Sequence, residues 1–274
     1  MHLIATDQQQ PFMAEVAANH NGSPWLLFIH GNNQTLASSL RACRKLQKNF
    51  GVNVVLFSWP SRSYYPRSLH FLAASLLFTL HPSTRSIARI AAAKSIHEQQ
   101  KQYQQARKIA EQSVPALGHS LHILHRHLLQ PLSAEGVNCH LLVHSLGHYL
   151  LQRLAKEGAM VGDWQCRSAI FHQADLAAAD SLEWLDDLPF INRERLFVTH
   201  NRRDYALFFS GLWHNNFHPG KVFSRLGNGM QVDISYPFNL VDFTHEKGVG
   251  LRHAIFWRRD LSPELKQRLL SLLS

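Results

Sequence analysis

Leu141-Leu142-Val143-His144-Ser145-Leu146-Gly147-His148 is the stretch that decides the fold of this 274-residue chain. A continuous apolar run of strand length passes straight into x-Ser-x-Gly and then into a helical pattern over 146–157. A turn that sharp pushes the serine hydroxyl out above the sheet. It also sets the hydroxyl beside the free N–H groups of a helix N-terminus, where developing negative charge is favoured. Gly147 is required because strand backbone and helix come very close at such a turn.

Outward from that turn, apolar runs of strand length alternate with longer helical patterns. Trp25-Leu26-Leu27-Phe28-Ile29, Val52-Asn53-Val54-Val55-Leu56-Phe57, His140-Leu141-Leu142-Val143, Ser168-Ala169-Ile170-Phe171 and Arg195-Leu196-Phe197-Val198-Thr199 read as buried strands, and residues 230–235 as a further one. Helices are expected over 35–49, 146–157, 182–188 and 205–213. Another opens at Pro115 with Leu117, Leu121, Leu124 and Leu128 as its core stripe. The last is capped by Ser262, with Pro263 in its first turn and Glu264 against the dipole. Buried strands alternating with helices imply an α/β fold: a mainly parallel central sheet with helices on both faces, in one domain over 1–274. Residues 62–113 are too long for an ordinary connection. They read as a helical insertion, an apolar aromatic block over 64–80 followed by a helix over 83–111.

The charge has an address. Residues 62–113 hold eight Lys/Arg against Glu98 and Glu111, a balance of +6 out of the chain's +9. A basic helix beside an apolar block fits either a solvated face on the domain or a lid lying on an anionic membrane surface. No apolar run reaches the roughly 20 residues of a membrane span. The N-terminus lacks the basic and apolar regions of a secretory signal. Cys43, Cys139 and Cys166 form no C-x-x-C pair, so neither a disulfide framework nor a thiolate zinc site is expected, and a cytoplasmic location is. RNA-module aromatics and zinc-finger spacing are also missing, which argues against nucleic acid as a partner.

Three segments in register carry a resemblance: Phe28-Ile29-His30-Gly31-Asn32-Asn33, Val55-Leu56-Phe57-Ser58-Trp59-Pro60 and Val143-His144-Ser145-Leu146-Gly147. In order and spacing the sequence resembles the α/β-hydrolase superfamily, and within it a bacterial branch of uncharacterised esterase/lipase-like proteins, patchily from about residue 25 to 256. The resemblance implies Ser145 as nucleophile and the backbone N–H groups of Asn32 and Leu146 as an oxyanion hole. It implies the chain order serine, acid, histidine. The acid is expected after the strand at Leu196, where Asp204 stands, with Asp175 in reserve one strand earlier. The histidine is expected near the C-terminus as His253, with His245 as runner-up. A serine hydroxyl needs a histidine to take its proton and a carboxylate to fix that histidine's tautomer. The sequence departs from the family pattern at Val143, where glycine is usual.

These residues imply a serine hydrolase acting on small-molecule or lipid-like carboxylic esters, with no metal or organic cofactor. The rival is a non-catalytic protein of the same fold that binds an anionic lipid or partner through its basic insertion. The 19 histidines include His119, His122, His125 and His127 along one helix. They show no H-E-x-x-H and no carboxylate at matching spacing, so they read as surface or polar-network groups. Arg202, Arg203, Arg252, Arg258 and Arg259 fall on or beside the proposed site loops. They fit either surface salt links or attraction of an anionic substrate.

Overall fold

The apolar runs become adjacent strands of one sheet because only a sheet buried on both faces can hide them. In the computed structural model the described residues are 3–4, 12–16, 22–61, 85–158, 165–177, 183–214, 225–228 and 238–274. Eight strands are described: β1 Leu3–Ile4, β2 Phe12–Val16, β3 Trp25–Ile29, β4 Asn53–Ser58, β5 Cys139–His144, β6 Ser168–His172, β7 Leu196–His200 and β8 Asn239–Asp242. Their order is β1-β2-β4-β3-β5-β6-β7-β8. The six from β4 to β8 run parallel, and β1 and β2 join antiparallel at one edge. The expected mainly parallel sheet is present. The two N-terminal strands were not foreseen. The strand expected over 230–235 lies outside the described residues, and β8 is Asn239–Asp242.

The helices described are α1 Leu36–Phe50, α2 Arg85–Gln112, α3 Val114–Leu124, α4 Gln130–Ala134, α5 Gly147–Lys156, α6 Tyr205–His214 and α7 Pro263–Leu270. A π-helical turn, His125–Leu129, joins α3 to α4. The helix expected over 182–188 is a 3₁₀ turn, Glu183–Asp187. Alternate strand residues feed two cores. Leu27, Ile29, Val55, Phe57, Leu141, Val143 and Phe171 pack with Tyr103, Ala106 and Ala110 of α2, Leu117 and Leu121 of α3, and Leu150 and Leu154 of α5. Leu26, Phe28, Val54, Leu56, Leu142 and Ile170 pack with Cys43 and Leu46 of α1 and Leu265 and Leu269 of α7. Helices therefore cover both faces. The later part of α2 is built into one of these cores, whereas 62–84, including the whole apolar block over 64–80, lies outside the described residues.

α1 shows how locally the sequence fixes its elements. Thr35 and Ser38 form a reciprocal capping box, and Gly51 ends the helix in the left-handed region at φ 68°. The connections place the candidate site. Strand order reverses direction at β3, with β4 on one side and β5 on the other. The crevice at the carboxyl ends of β3 and β5 is thus the switch point at which open α/β sheets bind ligands.

Gly147, at the first turn of α5, has no room for a side chain. A Cβ there would stand 2.8 Å from the His30 carbonyl oxygen and 3.1 Å from that of Ile29. Glycine to alanine in a helix ordinarily stabilises by about 1 kcal/mol. Here the sign reverses. Gly147→Ala is expected to lose about 1–3 kcal/mol in urea unfolding, the usual cost of overpacking a rigid contact.

Candidate active site

The serine turn forms with Val143 in place. Val143 is fully buried in register with Ile29 and Phe171, and Ser145 takes the left-handed conformation at φ 52°. Ser145 N–H donates to the His172 carbonyl at 3.2 Å. Its own carbonyl accepts from Asp175 N–H at 3.3 Å and from His148 Nδ1 at 2.7 Å. Gly31 fits against the turn so closely that a Cβ would lie 2.6 Å from Ser145 Cβ. Asn33 (φ 59°), Ser145 and Gln173 (φ 47°) are the non-glycine residues with positive φ in the described chain. They follow β3, β5 and β6, three adjacent strands, at one edge of the sheet. Strain concentrated in this way marks functional sites.

The loop after β3 is locked from the side by His30. Its Nδ1 donates to the Gly31 carbonyl at 2.8 Å, and its Nε2 accepts from Trp59 N–H at 3.2 Å. The ring stacks on Trp59, whose indole N–H donates to the His30 carbonyl at 2.9 Å. Burial lowers His30 to a pKa of about 4, against the bond to Gly31, so it is a neutral structural group. The backbone N–H groups of Asn32 and of Leu146, the N-cap of α5, make no hydrogen bond among the described residues. Unclaimed donors in the loops next to a serine suit an oxyanion.

Asp204 and His253 come together. His253 Nδ1 donates to Asp204 Oδ2 at 2.6 Å. Asp204 is fully buried at the start of α6, where its Oδ1 accepts from the N–H groups of Ala206 at 2.9 Å and Leu207 at 3.2 Å. Burial pushes the His253 imidazole down, but the charge of Asp204, its hydrogen bond and the charge of Asp175 outweigh that, and the pKa stands raised. Among the described residues no hydrogen bond joins Ser145 Oγ to His253. What links the two is His144, next to the serine in sequence, whose ring centroid lies 4.6 Å from that of His253. Serine–histidine contacts commonly tighten only when substrate binds.

The loop carrying His253 is pinned from the strand ends by residues the sequence reading did not single out. Gln173 Nε2 donates to the Arg252 carbonyl at 2.9 Å. Asn201 Nδ2 reaches the Gly250 carbonyl at 2.9 Å and that of Arg252 at 3.2 Å. Ile255 N–H donates to His172 Nε2 at 3.2 Å, which requires the proton of His172 on Nδ1, facing Thr199 Oγ1 at 2.8 Å. Burial, then the charge of His253, holds His144 and His172 well below the ordinary histidine range. Burial likewise takes His148 to about 3, against its bond to the Ser145 carbonyl. Neutral imidazoles therefore surround one whose pKa is raised.

The reserve candidates stand elsewhere. His245 is exposed. Asp175 is the centre of a separate buried cluster. Its Oδ1 accepts from Arg225 Nε at 2.7 Å and Ser210 Oγ at 2.5 Å, and its Oδ2 from the Tyr103 hydroxyl at 2.7 Å. Burial raises its pKa, but the Arg225 guanidinium, His214 and these hydroxyls together hold it at about 2. Tyr103 thereby ties α2 to the end of β6. Among the described residues no three His, Cys, Asp or Glu side chains are arranged to hold a metal ion, and no helix is long and apolar enough to cross a membrane.

The sequence pattern of one family, "Alpha/beta hydrolase of unknown function (DUF900)", matches residues 5–271. The chain belongs to that family. No curated protein matches this α/β hydrolase. Among solved structures it is similar to a Thermus thermophilus protein, with 12% identity over 100% of this chain and 97% of that one at a TM-score of 0.44. A sugar hydrolase from Lactococcus lactis shares 12% identity over 99% and 94%, also at 0.44. A thermostable esterase from Pseudomonas putida shares 11% over 98% and 83% at 0.42. Likenesses this distant carry no argument about function.

The Asp175 cluster gives a stability test. Arg225→Ala leaves a buried carboxylate without its counter-charge and is expected to cost about 3–5 kcal/mol in urea unfolding at neutral pH. Because the folded pKa of Asp175 is depressed, its contribution is complete above the ordinary carboxylate range and is lost as pH falls toward 2. The wild-type advantage over Arg225→Ala should therefore shrink on acidification.

Proposed function

We propose that this α/β hydrolase is a serine hydrolase that cleaves carboxylic esters through an acyl-enzyme. The observation that carries the reading is the buried Asp204–His253 pair, its imidazole raised in pKa, beside a serine held left-handed between strand and helix. Ser145 Oγ attacks the ester carbonyl while His253 Nε2 takes its proton, and Asp204 keeps the other ring proton on Nδ1. The carbonyl oxygen becomes an oxyanion and accepts from the N–H groups of Asn32 and Leu146. Collapse breaks the ester C–O bond, and the alcohol leaves with the proton from His253. Water, deprotonated by the same imidazole, then releases the acid and restores Ser145. No cofactor enters these steps. The missing Ser145–His253 hydrogen bond favours a second reading, a non-catalytic protein of this fold that binds an anionic lipid or partner.

Fluorophosphonate labelling separates the two. The wild-type protein is expected to label, and Ser145→Ala and His253→Ala are not. A folded wild-type protein that stays unlabelled, with detergent or lipid added, leaves the binding-protein reading standing.

The pH profile follows from the Asp204–His253 pair. The base must be neutral, so kcat/KM is expected to rise with pH through a midpoint above the ordinary histidine value of about 6.5. Asp204→Asn should shift that midpoint down and lower kcat by about 10⁴-fold. A midpoint unmoved by Asp204→Asn would remove the carboxylate from its assigned role.

A further inference from the structure

Tyr205, Leu240 and Leu251 are the large hydrophobic residues exposed among those described, and two of them flank the candidate site. Tyr205, 57% exposed, follows Asp204; Leu251, 63% exposed, lies two residues before His253. Exposed arginines interleave with them: Arg202 and Arg203 before Asp204, Arg252 before His253. The two loops form one surface. Asn201 Nδ2 holds the carbonyls of Gly250 and Arg252, Arg202 N–H donates to Thr244 Oγ1 at 3.0 Å, and His253 meets Asp204. Acidic compensation is partial. Asp260 lies 3.7 Å from Arg252 and also pairs with Arg258, whereas Arg203 makes no ion pair among the described residues. Asp242 offsets part of the Arg202 charge, since burial pushes its other neighbour, His200 at 3.3 Å, below the ordinary histidine range.

Single exposed apolar side chains mean little. Two of them beside three arginines, on the pair of loops that carry Asp204 and His253, make a rim with an apolar tip and a cationic collar. That combination matches the headgroup region of a bilayer, where apolar side chains enter and lysines or arginines lie over phosphates. A protein partner would be expected to meet a shaped apolar cleft, whereas the rim offers two single exposed apolar side chains. We propose that this rim seats the protein on an anionic phospholipid surface, with Leu251 and Tyr205 entering the headgroup layer and Arg202, Arg203 and Arg252 above the phosphates. The site then faces the lipid. The inference is separate from the lid read in residues 62–113 and needs no chemistry at Ser145.

Co-sedimentation of the full chain with phosphatidylglycerol/phosphatidylcholine vesicles and with phosphatidylcholine alone tests it. Binding should require the anionic lipid and weaken in 1 M salt, where the screening length falls to about 3 Å. Arg203→Glu should weaken it by about tenfold or more, given a factor of about five per basic residue near such a surface. Leu251→Asp should weaken it comparably. Both positions are solvent-exposed, and unchanged near-UV circular dichroism confirms that the variants fold. Arg44→Glu, on the exposed face of α1, and Ser145→Ala should bind like the wild type. Equal binding to neutral vesicles, no binding at all, equal loss in Arg44→Glu, loss in Ser145→Ala, or full binding by the rim variants would each overturn the proposal. Hydrolysis of a short soluble ester, measured alongside, reports the serine chemistry separately.

Discussion

The close approach of Gly31 and Gly147 to the Ser145 turn is the contact on which the rest of the candidate site depends. β3 and β5 are hydrogen-bonded neighbours, and the chain leaves both at the same edge of the sheet. For a helix to begin directly after β5, its first turn must lie on the carbonyls of Ile29 and His30, and only a residue without Cβ can be there. For the loop after β3 to turn past that helix, its own backbone must lie on Ser145, and again only glycine fits. The result is a serine forced to φ 52°, preceding Leu146 at the N-cap of α5 and touched by the loop that carries Asn32. A non-glycine residue in the left-handed region costs of order 1 kcal/mol or more. The fully buried strands Leu26–Ile29 and Leu141–Val143 supply the packing that holds it there.

Electrostatics at the site follow from burial more than from residue count. His144, His148 and His172 are all enclosed near the turn, and each is kept neutral chiefly because burial disfavours the imidazolium, which for His148 outweighs the charge of Asp175. His253 alone of this group bonds a carboxylate. One ring therefore holds a proton more readily than an ordinary histidine, while its neighbours serve as fixed donors and acceptors. His172 shows why neutrality matters structurally. Its Nε2 must remain unprotonated to accept from Ile255 N–H, so a charge on this ring would release the loop that presents His253.

Much of the fold was legible because its signals are local. Continuous apolar runs such as Trp25–Ile29 and the Ser262 cap of α7 declare themselves within a few residues. The strand-to-helix register around Ser145 was legible for the same reason, whereas Asp204 and His253 were singled out by the family resemblance. Residues 3–4 and 12–16 were not: β1 has two residues, and β2, although it pairs antiparallel with β4 over five, lacks the length and the apolar continuity of the inner strands. β8 escaped because Asn239 and Leu240 are exposed, so it carries no buried-strand pattern. The supports of the His253 loop were invisible for a different reason. Gln173 reaches 79 residues forward to Arg252, and His172 reaches 83 forward to Ile255. No periodicity or spacing encodes a pairing of that range. Only a conformational outlier such as Gln173 at φ 47° would have drawn attention to it, and that exists only in three dimensions.

Two carboxylates stand at the ends of neighbouring strands, and their surroundings separate their roles in the proposed chemistry. Asp175 has both oxygens occupied, by Arg225, Ser210 and Tyr103, and its charge is already answered by a guanidinium. Its charge contributes to raising the His253 imidazole, but after that of Asp204 and with no hydrogen bond to the ring. Asp204 gives one oxygen to two helix N–H groups, which orient it and cost no charge, and keeps the other for His253. The helix start fixes the carboxylate while leaving its negative charge available, since backbone amides neutralise far less than an arginine does. Reversing the roles would need His253 to break its 2.6 Å bond and Arg225 to withdraw from a site where it is itself buried. Chain order already ranks Asp204 above Asp175, and in the proposed chemistry the position of the counter-charge argues the same way.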